Sequence, residues 1–539
     1  MLTPRNTINT TKIENQFYSL FLGLISVLFF YLAFPSGGFA ILTWFTMVPI
    51  IIALSKVTLR NAFMLGLLSA TLGWLCSIWW AVYGVAAITF SAPNIVLPIV
   101  FIFCLISAIP YACACWLHVR FQFGQTLSGA FFSATIFTVV VNYVPHILPG
   151  NLAHALYLQP IFTQLADLGG VALVFFLIHC INILIANGIS LLKTNKTKSL
   201  QCFVMALVLF MTNLGYGFYK KYEIYTDTPA EIKRSRQEEN VSQEKSLRLA
   251  IVQPNINITN RTRADWLEAQ EKLKQLLLKI EKEQNIDLIV FPEVPVPISY
   301  RYYKEDQDFF KSLLKNTSLL LTSIKPLAET DNNNAGYFNT MELIEENSVK
   351  QDYAKQVLLP FGEYLPFEKQ LPWLREIFPF APNYQPGNQS TLFEIKNSQG
   401  SSFKAIPLIC YEAVFSGAAA KGVDQGGEFL INSSNDAWFY HTAGKRVHLA
   451  LSLFRSIEYR KYLVRTTNTG LTAVIGPFGN IIKGSQIKEN IQGYSVIDIP
   501  INNQTSFYQQ HPNLIKNILL LLSFSIVIFT RKKPTEANI

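Results

Sequence analysis

The first half of this chain almost lacks charged residues. Between Arg60 and Lys193 the only charged side chains are Arg120 and Asp167, and each charge at the centre of a lipid bilayer costs about 2.5 to 3.5 kcal/mol on insertion scales. Of all 539 residues only 15% are charged and 50% are hydrophobic, and the mean hydropathy is +0.25. An ordinary soluble protein of this size is excluded, and we predict a membrane protein with an appended polar domain.

Apolar segments long enough to cross a bilayer recur along the chain. We predict about eight transmembrane helices, near residues 17–34, 38–55, 62–83, 94–117, 127–145, 162–192, 201–218 and 514–530. The first segment continues directly into further spans, which indicates an uncleaved helix rather than a signal peptide. The single acidic residue in these spans, Asp167, could mark a transport path, but we expect it near the outer end of its span, facing water or headgroups.

Lysine and arginine are confined to alternate loops. The loops that carry them are at residues 56–60, 118–120, 193–198 and 531–533. The loops that lack them are at residues 35–37, 84–93 and 146–160. By the positive-inside rule, both termini are cytoplasmic and the polar segment 220–510 lies outside.

A polar, charge-rich stretch separates the apolar half from a region of different pattern. From Leu247, short β-type runs alternate with helical stretches, which favours a layered α/β domain with largely buried strands. The predicted organisation is a membrane domain over 1–219, a linker over 220–246, the α/β domain over 247–505, a last transmembrane helix over 513–531 and a cytoplasmic tail over 532–539.

Cysteine is scarce in the polar part, where Cys410 is the only one between residues 220 and 510. An intradomain disulfide is therefore impossible there. A free thiol in an oxidising compartment suggests a chemical role for the side chain rather than a role in packing. Cys410 follows the apolar run that ends at Ile409, as a nucleophile at a strand end does. Glu293 follows another such run, and Lys355 follows a short β-like stretch, so a base and a cation accompany the thiol.

Other classes of function have little support. The chain has no P-loop, and no clustered Cys/His spacing accompanies His441 and His448, so neither a metal nor another cofactor is predicted. The net charge of +9 comes partly from the loops that flank the spans, so it does not indicate a nucleic-acid partner.

The strings around the three residues resemble a known family. Glu293 in FPE, Lys355 in YAKQVLLPFGE and Cys410 in CYE resemble the Glu-Lys-Cys triad of the nitrilase, or carbon-nitrogen hydrolase, superfamily. The strings VQPNI at 252–256, SNDAW at 434–438 and RTTNTG at 465–470, together with seven preceding spans and one following, resemble the apolipoprotein N-acyltransferases. The resemblance implies a nitrilase-like αββα sandwich attached to a polytopic α-helical membrane domain.

The resemblance also implies a role for each residue. Glu293 is the general base, Cys410 attacks and Lys355 stabilises the oxyanion. The positions of Glu363, Tyr411 and Glu412 match others that the family needs, and are expected to order the triad or to close over substrate.

The implied reaction moves an acyl chain from a phospholipid to a protein. The donor's sn-1 chain forms a thioester on Cys410, and the acceptor is the α-amine of the diacylglyceryl cysteine at the N-terminus of an apolipoprotein. The resemblance further implies ping-pong kinetics and a location in the bacterial inner membrane, with the catalytic domain on the periplasmic side. The implied partners are membrane lipid and the apolipoprotein.

A proline-rich segment after Lys355 carries many large apolar residues. We predict that it is a lid that dips into the outer leaflet through Trp373 and Phe378, and that Trp438 lines the acyl entrance. The rival interpretation is that these aromatic residues pack into the domain's own core, and that Glu363 is a structural ion-pair partner.

Two alternatives to the acyltransferase remain. One is a membrane-tethered amidase or nitrilase, in which water resolves the thioester, although such an enzyme needs at most one anchor. The other is a transporter or sensor whose outer domain only binds, although binding alone has no need of all three residues.

Overall fold

The computed structural model describes nine stretches of the chain, residues 4–124, 126–144, 147–226, 246–256, 263–293, 304–313, 317–327, 336–501 and 504–531. The chain divides into two compact units. The first comprises residues 1–79, 97–220 and 510–539, and the second comprises residues 80–96 and 221–509. Most of the predicted linker and the whole predicted tail lie outside the described residues.

The first half of the chain forms helices. They are α1 (Pro4–Ala33), α2 (Val48–Leu54), α3 (Leu59–Ile78), α4 (Ala81–Thr89), α5 (Pro93–Arg120), α6 (Leu127–Asn142), α7 (Ala166–Leu191) and α8 (Lys196–Thr226). Helix α4 belongs to the second unit although it lies between two helices of the first. The predicted span at 62–83 therefore ends early, at Ile78, where α3 stops.

Within the described residues, five helices are long and apolar enough to cross a membrane. They are Glu14–Ala33, Leu59–Ile78, Pro93–Arg120, Ala166–Leu191 and Lys196–Ile224. Three shorter apolar helices, at 40–54, 127–142 and 514–528, coincide with the other predicted spans. The membrane character is therefore confirmed, whereas the number of about eight crossings stays a prediction.

Asp167 does not face water or headgroups. Its side chain is 2% exposed, accepts a hydrogen bond from Tyr216 Oη at 2.8 Å and lies 3.5 Å from Lys220 Nζ. Tyr216 and Lys220 lie on α8, so the acid of α7 is an interhelical contact within the first unit. A charge buried in this way needs a partner of opposite charge, which Lys220 supplies.

The second unit is built on two sheets. The first has strand order β11-β1-β2-β3-β4-β5, and the second has order β10-β9-β8-β7-β6. The strands are β1 (Ser246–Gln253), β2 (Leu288–Val290), β3 (Ser318–Pro326), β4 (Tyr337–Glu345), β5 (Ser348–Ala354), β6 (Phe393–Lys396), β7 (Ser402–Ile409), β8 (Phe429–Ser434), β9 (Leu463–Thr467), β10 (Ala473–Ile475) and β11 (Gly493–Pro500). At the centre of each sheet three strands are parallel, β1, β2 and β3 in one and β7, β8 and β9 in the other.

The two sheets share one hydrophobic core. Alternate residues of the first sheet, such as Leu249, Val290 and Met341, join a single buried cluster with Phe403 and Ile431 of the second. Strands of a parallel sheet covered on both faces read as continuous apolar runs, as β2 does. Stacking of the sheets face to face therefore removes the inner faces of both from water.

Helices cover the outer faces. After α4, the second unit contains α9 (Arg263–Ile280), α10 (Lys304–Leu313), α11 (Trp373–Ile377), α12 (Ser416–Asp424), α13 (Gly444–Tyr459) and most of α14 (Phe507–Gln510), whereas α15 (Leu514–Arg531) belongs to the first unit. Helix α9 packs Leu273 and Leu277 on the outer face of the first sheet. On the second sheet, Gly422 of α12 lies against Ile406 of β7. The layers are helix, sheet, sheet, helix, so the predicted αββα sandwich is confirmed.

Candidate active site

Three strand ends deliver the residues of the predicted triad. β2 ends at Val290, and Glu293 follows three residues later. β5 ends at Ala354 directly before Lys355, and β7 ends at Ile409 directly before Cys410. Carboxyl ends of strands are where α/β sheets commonly place their functional groups.

Lys355 is a buried cation between two carboxylates. Its side chain is 1% exposed, and its Nζ lies 2.8 Å from Glu363 Oε1 and 3.6 Å from Glu293 Oε1. Burial alone would lower the pKa of Lys355, but the carboxylates of Glu363 and Glu293 outweigh it and raise the pKa well above the usual range. The ammonium group is therefore charged at any working pH. It has three N–H donors, of which Glu363 takes one.

Asn339 joins the two carboxylates. Its Nδ2 donates to Glu293 Oε1 at 2.8 Å and to Glu363 Oε1 at 3.0 Å. The main-chain N–H of Asn435 donates to the other oxygen of Glu293 at 3.1 Å. Glu293 is thus held by donors on both oxygens, which fixes the orientation of the predicted base.

The main chain at Cys410 has an uncommon conformation. Its φ is +49°, in the left-handed region that a non-glycine residue rarely adopts. The residue starts a 3₁₀ turn, Cys410–Val414, directly after β7. Asn432 Nδ2 donates to the carbonyl of Cys410 at 3.2 Å and to that of Leu408 at 3.2 Å. A sharp turn from strand to helix turns the thiol out of the sheet, and neighbouring hydrogen bonds hold the strained residue there.

The thiol of Cys410 lies among charged groups. Burial and the carboxylate of Glu293 raise the pKa of Cys410 well above the usual range, and Lys355 offsets this only in part. The resting form is therefore the neutral thiol, and reaction requires a base. Ser434, at the end of β8, places its Oγ 3.4 Å from Cys410 Sγ.

Glu412 is fully buried and accepts four hydrogen bonds. Its Oε1 accepts from Tyr353 Oη at 2.8 Å, from the Gln356 N–H at 2.6 Å and from the Val357 N–H at 3.1 Å. Its Oε2 accepts from the Ile409 N–H at 2.8 Å. These donors come from the chain on either side of Lys355 and directly before Cys410. Glu412 therefore ties the ends of β5 and β7 together.

We expect Glu412→Gln to lower both stability and turnover. A glutamine has one acceptor oxygen, so its amide group must face one of the buried N–H donors, at a cost of about 1 to 3 kcal/mol. The ends of β5 and β7 are then no longer held together. Lys355, which directly follows β5, loses its fixed position, and kcat is expected to fall as a result. Thermal unfolding and turnover measure the two effects. Glu428→Gln is the control, because Glu428 accepts from the Lys404 N–H at the protein surface; equal losses in both variants would contradict the prediction.

The remaining predicted residues surround this cluster. Glu363 is buried, accepts from Lys355 and, through Oε2, from the Leu359 N–H at 2.8 Å. Tyr411 is buried with its ring edge-on to Phe415 at 4.9 Å between centroids. Trp438 is half-buried in a 3₁₀ turn, Asp436–Phe439, that directly follows Asn435. Its main chain lies against Gly84 of α4.

The apolar loop, defined here as Leu365–Ala381, differs from the prediction in one residue. Trp373 is 50% exposed, but Phe378 is fully buried, with its ring 5.9 Å from that of Phe361. The prediction that Phe378 faces lipid is therefore wrong, and its rival, packing inside the domain, describes this residue. Phe367 and Phe380, which belong to the same predicted lid segment, are 71% and 68% exposed. Counting large apolar residues in a loop does not say which of them form its own interior.

Two further residues of the cluster were not predicted. Asn339 lies opposite Lys355 in the hairpin of β4 and β5, where its carbonyl accepts from the Lys355 N–H at 2.8 Å. Tyr384 is half-buried, and its N–H donates to the Glu363 carbonyl at 2.9 Å. Asn339 is one of several polar residues of β4, so the sequence carried no signal that singled it out.

Comparison with known proteins agrees with this geometry. The carbon-nitrogen hydrolase family model matches residues 248–508, and the model of the apolipoprotein N-acyltransferase N-terminal domain matches residues 26–184. An apolipoprotein N-acyltransferase of Bdellovibrio bacteriovorus is 26% identical over 446 residues, which cover 78% of this chain and 76% of that protein. The chain belongs to the apolipoprotein N-acyltransferase family.

A second apolipoprotein N-acyltransferase matches a similar share of this chain. The protein of Geobacter metallireducens is 24% identical over 463 residues, with 84% of each chain covered. Among solved structures, an amidase of the nitrilase superfamily from Nesterenkonia AN1 is 16% identical, with a TM-score of 0.37, and covers 52% of this chain and 100% of its own.

Proposed function

We propose that this chain transfers a fatty acyl chain from a phospholipid to the α-amine of the diacylglyceryl cysteine that begins an apolipoprotein. The observation that carries the proposal is the buried cation Lys355 between Glu293 and Glu363, at strand ends that also carry Cys410. Membership in the apolipoprotein N-acyltransferase family supports the choice of substrates. The domains proposed are those predicted from the sequence, with α4 assigned to the catalytic unit.

The first half-reaction forms a thioester. Glu293 takes the proton of the Cys410 thiol, and the thiolate attacks the sn-1 ester carbonyl. Negative charge develops on the carbonyl oxygen, and a free N–H donor of the Lys355 ammonium stabilises it. The bond from the carbonyl carbon to the glycerol oxygen then breaks. That oxygen takes the proton from Glu293, and a lysophospholipid leaves.

The second half-reaction transfers the acyl chain. The neutral α-amine attacks the thioester carbonyl, with Lys355 again stabilising the oxyanion. The carbon–sulfur bond breaks, Glu293 takes the excess proton of the amine and returns it to Cys410. An α-amine with an ordinary pKa of about 7.7 to 8.0 supplies enough of the neutral form near pH 7. Donor and acceptor occupy the enzyme in turn, so the kinetics are ping-pong.

The proposed location is the bacterial inner membrane, which the chain crosses several times. Lysine and arginine are confined to alternate loops, which supports cytoplasmic termini and a catalytic unit on the periplasmic side. Phospholipid donor and acylated protein both reside at that surface.

The apolar loop is proposed as the contact with lipid. Its exposed side chains are Phe367, Leu371, Trp373, Ile377 and Phe380. Arg375 clamps the loop from within, with Nε and Nη2 at 2.7 and 2.9 Å from the two carboxylate oxygens of Glu368. A bidentate pair of this kind holds the backbone, so the apolar side chains project from a preformed structure.

We expect Trp373→Ser combined with Phe380→Ser to lower turnover on phospholipid vesicles several-fold without lowering the melting temperature. Phe378→Ser should instead destabilise the protein by about 3 to 5 kcal/mol, because it empties a buried aromatic site. Leu278→Ser is the control, because Leu278 is 42% exposed on α9, outside the loop. Unchanged turnover in vesicles for the double variant would remove the loop from the proposal.

The product identifies the reaction. The purified protein is incubated with a phospholipid labelled in its sn-1 chain and a diacylglyceryl peptide, and products are separated by mass. The proposal predicts N-acylated peptide and lysophospholipid in equal amounts. Free fatty acid formed at the same rate with and without peptide would identify the amidase-like alternative, and absence of both products would contradict the proposal.

A further inference from the structure

Two sequence strings contain buried polar side chains that take no part in the reaction described above. They are Ser434–Trp438, at the end of β8, and Arg465–Gly470, which begins in β9. The structure joins them through Arg465, whose side chain is fully buried. Arg465 Nη2 lies 2.9 Å from Asp436 Oδ2, and the Asp436 side chain is 1% exposed.

One branch of contacts leads from Arg465 to the sulfur of Cys410. Asp436 Oδ1 accepts from Ser434 Oγ at 2.9 Å, and that oxygen lies 3.4 Å from Cys410 Sγ. A second branch leads to the main chain. Arg465 Nη1 donates to Asn432 Oδ1, and Asn432 Nδ2 donates to the carbonyl of Cys410 at 3.2 Å. Both branches end on the residue whose main chain is in the left-handed region.

We propose that Arg465 is a positioning residue for Cys410, holding the thiol through Asp436 and Ser434 and the main-chain carbonyl through Asn432. This rests on the proposed function, because it assumes that Cys410 is the nucleophile. A buried ion pair is poor support for stability, since apolar residues in its place are often as stable or more so. A hydrogen-bond network that contacts one reactive residue by two routes instead fixes the position of that residue.

The Ser434 hydroxyl has one proton and two acceptors. Asp436 is ionised, because Arg465 and His448 outweigh the effect of burial and hold the pKa of its carboxyl well below the usual range. His448 Nδ1 lies 2.8 Å from Asp436 Oδ1 and Arg465 neutralises its charge, so Asp436 competes less strongly for the hydroxyl proton. When Glu293 takes the thiol proton, Ser434 can turn its proton to the thiolate and stabilise it.

The test follows alkylation of Cys410 by iodoacetamide against pH, in the full-length protein in detergent. The modified Cys410 peptide is quantified by mass, which separates it from the cysteines of the membrane half. No substrate is present, so the result is readable even if acyl transfer fails. Ser434→Ala removes a donor to the thiolate, and we expect about a tenfold slower alkylation at pH 7 with the midpoint raised by about one unit.

Two variants distinguish loss of the Ser434 hydroxyl from a general disturbance of the fold. Ser434→Thr keeps the hydroxyl and should restore the midpoint. Ser456→Ala removes an equally buried hydroxyl that donates to the Leu453 carbonyl on α13, and should leave the midpoint unchanged. An unchanged midpoint in Ser434→Ala, or an equal shift in Ser456→Ala, would overturn the proposal.

Arg465→Lys tests the origin of both branches. Lysine keeps the charge but cannot reach Asp436 and Asn432 together, because it lacks the planar fork of arginine. We expect kcat to fall about tenfold or more, with the KM for phospholipid unchanged, because Arg465 is buried away from substrate. A raised KM with unchanged kcat would contradict a positioning role. If this variant does not fold, the Ser434 variants decide.

Discussion

Glu293→Gln is expected to reduce acyl transfer by about 10²- to 10⁴-fold, the range by which a general base contributes. The pKa of Cys410 is raised by burial, so the resting thiol stays protonated without a base. Glutamine keeps the size of the side chain and one acceptor for Asn339 or Asn435, but it cannot take a proton. Both turnover and alkylation of Cys410 at pH 7 should fall together.

The control for this variant is Glu283→Gln. Glu283 accepts from Tyr494 Oη at 2.9 Å on the protein surface, so its replacement changes one carboxylate without touching the site. Retention of more than a tenth of the turnover by Glu293→Gln would assign the base to another residue.

Lys355→Met is expected to reduce turnover by about 10²- to 10³-fold, as loss of one oxyanion donor does elsewhere. It also removes the only cation within ion-pair distance of Glu293 and Glu363 among the described residues. Breaking a buried pair from one side leaves uncompensated charge and costs about 3 to 5 kcal/mol. We therefore expect a clearly lower melting temperature as well as slow turnover.

Lys350→Met is the matched control, since Lys350 lies on β5, the strand that directly precedes Lys355, and pairs with Glu346 at the surface. It should leave melting temperature and turnover close to those of the unaltered protein. If Lys355→Met proves as stable and as active as Lys350→Met, Lys355 is a structural residue and the proposed oxyanion donor is wrong.

The positions of Glu293, Lys355 and Cys410 at strand ends could be predicted from the sequence. Glu293 and Cys410 each follow an apolar run of strand length, and Lys355 follows a short β-like stretch. The short edge strand β6 was not predicted, since four residues carry too little periodicity. The αββα layers followed from the family resemblance rather than from the pattern of runs alone.

The role of Asn339 depends on a detail that the sequence does not display. β4 and β5 form a hairpin around Glu346 and Asn347, both with positive φ, as a two-residue turn requires. Counting back from that turn places Asn339 opposite Ala354. A register shift at Leu343 and Ile344 moves the pairing by one residue and sets Asn339 opposite Lys355.

Which side chains of a loop are buried could likewise not be predicted from the sequence. Phe378 and Phe380 have the same side chain two residues apart, yet one is fully buried and the other is 68% exposed. Only tertiary contacts such as that of Phe378 with Phe361 decide which ring faces inward. For the same reason, the assignment of α4 to the catalytic unit could not be predicted. Its apolar sequence is like that of the neighbouring helices, and only its tertiary contacts distinguish it.

The central claim is that Cys410 carries a fatty acyl chain between two substrates. Intact-mass analysis of the purified protein after incubation with phospholipid, in the absence of acceptor, tests it directly. We predict a mass increase of one acyl chain that is absent in Cys410→Ala and is lost when a diacylglyceryl peptide is added. An adduct that persists in Cys410→Ala, or one that water removes as fast as the peptide does, would contradict the account.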